Sequence, residues 1–265
     1  MKRGNGMKVD LNCDLGESFG AYQIGEDEKI IPFISSANVA CGFHASDPLV
    51  MQKTVMLAKK YEVHIGAHPG YPDLVGFGRR NLEVSPKEVK AYVQYQIGAL
   101  SAFCKAAETK LYHVKPHGAM YNMAAKDEKL AYAICEAIFE VDSSLILFGL
   151  SGSKMIDAAK ETGLQSVSEV FADRAYEEDG SLVSRMKHGA MITEEEEAIT
   201  RVIRMIKEGV VTAITGKEVP INAQSICVHG DGEKALCFTK RLNQVLKAER
   251  IEVKPSVSQQ APPIE

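Results

Sequence analysis

His44, His68, His117 and His229 each come within a few residues of the end of a short apolar run, with Gly or Pro close by. One such histidine is ordinarily a hydrogen-bonded core or surface side chain. Four in the same context point to a shared site. Charged residues recur at the same places: Asp14 and Glu17 in "DLGES", Asp47 in "HASDP", Lys115 in "VKPH", Asp173 and Arg174 in "FADRAY", and Asp231 in "HGDG". Three chemistries suit this set. Imidazole and carboxylate ligands could hold a divalent metal that activates water, although they lie too far apart in sequence to form a local metal motif. A His or Asp could act as general base on water while Lys115 and Arg174 stabilise developing negative charge. Or the polar ring could simply bind a small carboxylate.

A further candidate lies in "GFGRR". Gly76 and Gly78 allow close backbone approach to a ligand, and Arg79 or Arg80 could clamp a carboxylate with two parallel hydrogen bonds. The alternative is a tight turn with two solvated arginines. His64, His113 and His188 lack the full context and stay outside the candidate set, although His113 could face an interior lumen.

The elements that must position these residues alternate. Strands are expected at 7–14, 34–41, 63–67, 111–115, 145–149, 166–171 and 225–229, and helices at 48–61, 86–108, 126–140, 152–162, 194–208 and 232–248. "SPKE" opens the second helix, with Ser85 as cap and Pro86 in the first turn. Strand and helix taking turns imply a parallel sheet with helical crossovers, an α/β fold. Strands of an open parallel sheet are covered on both faces and read as apolar runs. Here Asp10, Asn12, Asn38, His113 and Glu169 lie inside strands. A closed seven-stranded (β/α) barrel with a polar lumen accounts for them, and its C-terminal mouth would gather every candidate above. In the first strand Asp10, Asn12 and Asp14 alternate with Val9, Leu11 and Cys13, which gives one wet face.

The organisation expected is one barrel domain over residues 1–253 and a disordered tail over 254–265, "KPSVSQQAPPIE". With 31 basic and 35 acidic residues the chain has no electrostatic footprint for nucleic acid or an anionic membrane. It contains no apolar run long enough to span a bilayer. Six scattered cysteines without a CxxC pair suit free thiols in a cytoplasmic protein. A P-loop is absent: "ITGKE" has Gly-Lys, but Val211 and Glu218 replace its other required residues. No Gly-x-Ser-x-Gly elbow occurs. "GLSGSK" reads as a strand-to-helix turn and the "EEEE" at 194–197 as a solvated helix start.

"DLNCDLGESFG", "SANVACGFHASDP", "GAHPGYPDLVGFGRR", "VKPHGAMYN", "FADRAY" with "DGSLVSR", and "CVHGD" together resemble the LamB/YcsF family of 5-oxoprolinase A subunits, over nearly the whole chain. Ser46 departs from the family's usual Gly in "HAGDP" and bears on backbone geometry there. The resemblance implies a barrel of the glycoside hydrolase/deacetylase type. It also implies opening of the 5-oxoproline lactam to L-glutamate, coupled to hydrolysis of ATP as co-substrate, with Mg, and the need for subunits B and C. On that basis Asp14, His44, His117 and Lys115 are expected to be catalytic. Asn12, Asn38, His68, Arg79, Arg174, His229 and Asp231 are expected to bind substrate, with Asp10 and Glu17 behind them. Related deacetylases use an Asp-His-His metal site, of which Asp14 and His44 would be the remnant. Two alternatives stay open: a metal-dependent amidase or deacetylase acting alone, and a non-catalytic subunit that binds substrate.

Overall fold

A computed structural model describes residues 6–228, 235–257 and 259. The strands among them are β1 (Lys8–Leu15), β2 (Ser36–Ala40), β3 (His64–His68), β4 (Leu111–Val114), β5 (Ile146–Leu150), β6 (Ser166–Phe171), β7 (Val210–Thr212), β8 (Glu218–Pro220), β9 (Ser225–Val228) and β10 (Glu252–Val253). The helices are α1 (Asp27–Ile30), α2 (Pro48–Lys60), α3 (Pro86–Ala106), α4 (Gly118–Ala124), α5 (Glu128–Val141), α6 (Lys154–Thr162), α7 (Glu195–Glu208) and α8 (Ala235–Ala248).

Strands β1 to β6 pair in chain order, all parallel, and β9 closes the ring between β6 and β1. This is the expected seven-stranded barrel. Its apolar outward residues, such as Val9, Leu11 and Cys13 of β1, are fully buried under the helices. The alternate residues Asp10, Asn12 and Asp14 belong to the lumen network described below. Register stacks that network in layers: Asp14 lies beside Asn38, and Asn38 beside Gly66 of β3, which in turn neighbours His113 of β4.

Local signals fix the helix starts. Ser85 caps α3 in a reciprocal box with Glu88, and Pro86 occupies the first turn. Asp47 caps α2 by accepting from the amides of Leu49 at 2.9 Å and Val50 at 3.0 Å. The acidic run opens α7 as expected, where its charges suit the dipole. Several features depart from the sequence reading. The stretch after His117 forms a separate short helix, α4, ahead of α5. "TGK" lies in the turn of an antiparallel hairpin, β7–β8, outside the barrel.

The chain after α8 does not leave the barrel at Lys254. Strand β10 adds to the outer edge of β1. Tyr112 then donates to the Val257 carbonyl at 2.6 Å, Ser256 donates to the Gln224 carbonyl, and Gln259 donates to the Leu111 carbonyl at 3.0 Å. The first part of the expected disordered tail is therefore tied across the strand starts. Residue 258 and residues 260–265 lie outside the described set.

Candidate active site

The C-terminal mouth holds a cavity of about 660 Å³. Asp14, His68, Lys115 and His117 line its inner end, and Arg79 and Arg174 are among its further walls. At the inner end Lys115 Nζ lies 2.9 Å from Asp14 Oδ1 and 3.0 Å from Glu169 Oε1. Burial alone would disfavour the Lys115 ammonium, but Asp14 and Glu169 outweigh it and hold its pKa above the ordinary lysine range. The Lys115 ammonium thus lies between two carboxylates, with Cys227 Sγ 3.0 Å away.

Below this pair a hydrogen-bonded chain descends the lumen. Asn38 Nδ2 donates to Asp14 Oδ1 at 2.8 Å and to Asn12 Oδ1 at 2.7 Å. Asn12 Nδ2 donates to Glu169 at 2.9 Å and to Ser225 at 2.7 Å, and Ser225 donates to Asp10. Asp10 also accepts from Ser35 at 2.7 Å and Ser36 at 2.6 Å. Burial raises the Asp10 pKa, against the pull of these hydroxyls. Asn12 and Asn38 were expected to meet substrate. Both are fully buried, with polar atoms hydrogen-bonded to Asp14, Glu169 and Ser225. Asp10 lies a layer deeper, behind Ser225.

On the other side of Asp14 the histidines gather. His68 Nε2 is 3.3 Å from Asp14 Oδ2, and His117 Nδ1 is 2.9 Å from His68 Nε2. The His44 ring stacks on His117 with centroids 3.7 Å apart. Glu17, expected to stand back from the site, reaches into this group: its Oε1 is 3.5 Å from His44 Nε2 and 3.7 Å from His117 Nδ1. Burial, with His68 alongside, holds His44 well below the ordinary histidine range, and burial with His44 and His68 does the same to His117. Close approach of backbone makes the cluster possible. A Cβ on Gly78, which has φ of +63°, would stand 2.7 Å from His44 Cβ and 2.8 Å from His117 Cδ2.

The "GFGRR" arginines divide. Arg80 Nε donates to Asp73 at 2.9 Å, so it braces its own loop. Arg79 lies over the Phe77 ring and lines the cavity. Arg174 is buried, donates to the Val183 carbonyl at 2.6 Å, and has its pKa lowered to about 10 by burial. His229 and Asp231 lie outside the described residues.

Two participants escaped the sequence reading, and one expectation is met. Glu169 was noticed only as a polar strand residue, yet it is the second carboxylate on Lys115. Tyr121, from α4, donates to Glu169 at 2.7 Å. His113 does face the lumen: its Nε2 donates to Asn38 Oδ1 at 2.7 Å, while its ring stacks on Phe148. Its position inside β4, at the register of Gly66, is the one expected of a lumen residue.

Residues 9–261 match the LamB/YcsF family. The chain belongs to that family. It is 68% identical to the 5-oxoprolinase A subunit of Clostridium beijerinckii over 248 residues, 94% of this chain and 97% of that one. It is 58% identical to the 5-oxoprolinase A subunit of Alkaliphilus metalliredigens over 246 residues, 93% of this chain and 96% of the relative. Among solved structures it is similar to the lactam utilization protein of Thermus thermophilus, with 47% identity, a TM-score of 0.88, and 94% of this chain and 99% of that one covered. A protein described as a cellobiose-phosphate cleavage protein of Enterococcus faecalis shares the fold, at 12% identity, a TM-score of 0.54 and 95% and 98% coverage. The name that the two curated relatives share marks each as one part of a multi-subunit assembly. No helix of the described residues is long and apolar enough to cross a membrane.

Proposed function

We propose that this LamB/YcsF protein carries the lactam-opening site of an ATP-dependent 5-oxoprolinase and works with two further subunits, B and C. The observation that carries the reading is Asp14 and Lys115 side by side at the inner end of a cavity walled by Arg79 and Arg174. It offers a base, a fixed cation and two guanidinium groups to a small amide that bears a carboxylate. The relatives' names, which speak of 5-oxoprolinase and of lactam utilization, support the substrate class.

An unstrained five-membered lactam is a poor electrophile. Transfer of the ATP γ-phosphoryl group to its carbonyl oxygen activates the carbon; water adds there, the C–N bond breaks as the nitrogen takes a proton, and the acyl phosphate so formed is hydrolysed to carboxylate and phosphate, which gives ATP, with Mg, its role as co-substrate. Asp14 takes a proton from the attacking water, held by the Asn38 and Lys115 hydrogen bonds in one orientation. Lys115 and Arg174 stabilise the charge that develops on oxygen or phosphate, and Arg79 holds the substrate carboxylate. Asn12, Asn38 and Asp10 fix this geometry from below. The lack of a P-loop in this chain agrees with phosphoryl transfer by a partner subunit. Six unpaired cysteines and the demand for ATP support a cytoplasmic setting.

The test is 5-oxoproline-dependent ATP hydrolysis with glutamate release, measured for this chain alone and then with B and C. Activity only in the three-subunit mixture is expected. Failure of the full mixture to release glutamate would overturn the reading. Glutamate release by this chain alone, without ATP, would replace it with a self-sufficient amidase.

A further inference from the structure

In the cluster of Glu17, His44, His68 and His117 the ring nitrogens are not matched donor to acceptor among the described residues. His68 Nδ1 lies 2.7 Å from the Lys115 carbonyl, and His117 Nε2 lies 2.8 Å from the Phe77 carbonyl. A carbonyl oxygen only accepts, so each of these nitrogens must carry the hydrogen and donate it. A neutral imidazole has one N–H. With one N–H on each ring, the other nitrogens, His68 Nε2 and His117 Nδ1, would both be lone pairs, and they face each other at 2.9 Å. Beside them stands His44, 1% exposed, with neither ring nitrogen in a hydrogen bond among the described residues. Buried polar atoms of that kind are rare and call for a missing partner.

We propose that Glu17, His44, His68 and His117 form a binding site for one divalent transition-metal cation of the zinc class. One ligand atom from each residue, three imidazole nitrogens and a carboxylate oxygen, lies within 4.8 Å of the others. Imidazole and carboxylate donors together suit Zn²⁺, Co²⁺, Fe²⁺ or Mn²⁺ better than Ca²⁺ or Mg²⁺, which prefer all-oxygen shells. The Lys115 and Phe77 carbonyls act as the outer partners that metal-bound histidines ordinarily have, fixing which nitrogen faces the cation. The ligand set also differs from the Asp14 and His44 pair expected from the sequence. Asp14 is taken up by Lys115 and Asn38 and borders the cluster through His68. A cation so placed supplies Lewis acidity, or lowers the pKa of bound water, at the edge of the cavity that Asp14 lines. The site stands on the tautomers and distances alone and does not depend on the identity of the substrate.

The test uses the full chain without an affinity tag, stripped with a chelator and then exposed to Zn²⁺ or Co²⁺ and desalted. One retained cation per chain by elemental analysis is expected, with a rise in Tm and an intense visible Co²⁺ band. His44→Ala and His68→Ala should lose stoichiometric metal, whereas His188→Ala, on the exposed surface, should keep it. In case the alanine variants fail to fold, Glu17→Gln preserves shape and should still shift the Co²⁺ band. Absence of stoichiometric uptake by the folded wild-type chain would overturn the proposal. So would uptake that neither the histidine variants nor Glu17→Gln changes. A proton shared between His68 and His117 would then be the partner, visible as a doubly protonated ring in nitrogen-resolved NMR. Because no readout involves substrate, this outcome is separable from the fate of the lactam reading.

Discussion

Asp14 Oδ1 and Lys115 Nζ stand 2.9 Å apart with side chains 9% and 2% exposed, so a buried ion pair forms the inner end of the cavity. The two partners predict opposite signatures. Asp14→Asn keeps the shape and can still accept from Asn38 and Lys115, but its amide cannot take a proton. Turnover of the assembled enzyme should fall by at least ~10²-fold with KM nearly unchanged and Tm within a few degrees. Lys115→Met leaves Asp14 and Glu169 facing each other without a cation, and should cost about 3–5 kcal/mol of stability as well as activity. Steady-state kinetics and denaturant unfolding of both variants check this, and near-wild-type turnover of Asp14→Asn would remove Asp14 as the base.

Gly66 predicts a strictly steric effect. A Cβ there would lie 2.0 Å from His113 Nε2 and 2.3 Å from two further ring atoms, and the ring is held by Phe148 and Asn38. Gly66→Ala should therefore destabilise by several kcal/mol, on the order of the larger overpacking penalties. In a double-mutant cycle His113→Ala opens the space, so Gly66→Ala should cost far less in that background. Equal costs in both backgrounds would contradict the layer described for the lumen.

The barrel was legible because βα alternation and polar residues inside strands are local patterns. Strand limits came within about two residues wherever the structure describes them. The mouth was legible for the same reason: a residue just past a strand end has nowhere else to go in a barrel. Depth was not. Asn12 and Asp14 differ by one pleat, yet one is a buried brace and the other reaches the cavity. That distinction is set by the stagger between strands, which no single strand contains. The grouping of Glu17 with three histidines was hidden likewise, since its members come from the end of β3 and from the segments after β1, β2 and β4. The α4 helix was missed because it is short and starts at Gly118, a poor helix former.

Ser46, where the family resemblance implies Gly, has a φ of 76°. A left-handed conformation costs a residue with a Cβ roughly 1–2 kcal/mol, while a glycine loses somewhat more chain entropy on folding. The Ser46 hydroxyl makes only a long contact, 3.4 Å to the Asp47 carbonyl, so little is lost with it. Ser46→Gly should raise stability by about 1 kcal/mol, seen as a higher denaturation midpoint, with turnover unchanged. A lower midpoint would mean that the hydroxyl matters more than the strain.

Asp27 predicts a pH dependence of stability. Its Oδ2 accepts from the Gly16 amide at 2.8 Å, at the turn that carries Glu17 into the histidine cluster. Burial raises its pKa from 3.8 to about 6, against the pull of that amide and with help from Glu17. The folded chain therefore holds the proton through a window in which the unfolded chain has released it. Linkage gives the sign: this group's stabilisation is fully present below 3.8 and is lost as pH rises toward about 6. Asp27→Asn can still accept from Gly16 but does not titrate. Relative to the variant, wild type should lose stability across that window and level off above it, in urea unfolding followed at successive pH values. Parallel curves for the two proteins would show that the Asp27 carboxyl ionises at its ordinary pH in the folded chain.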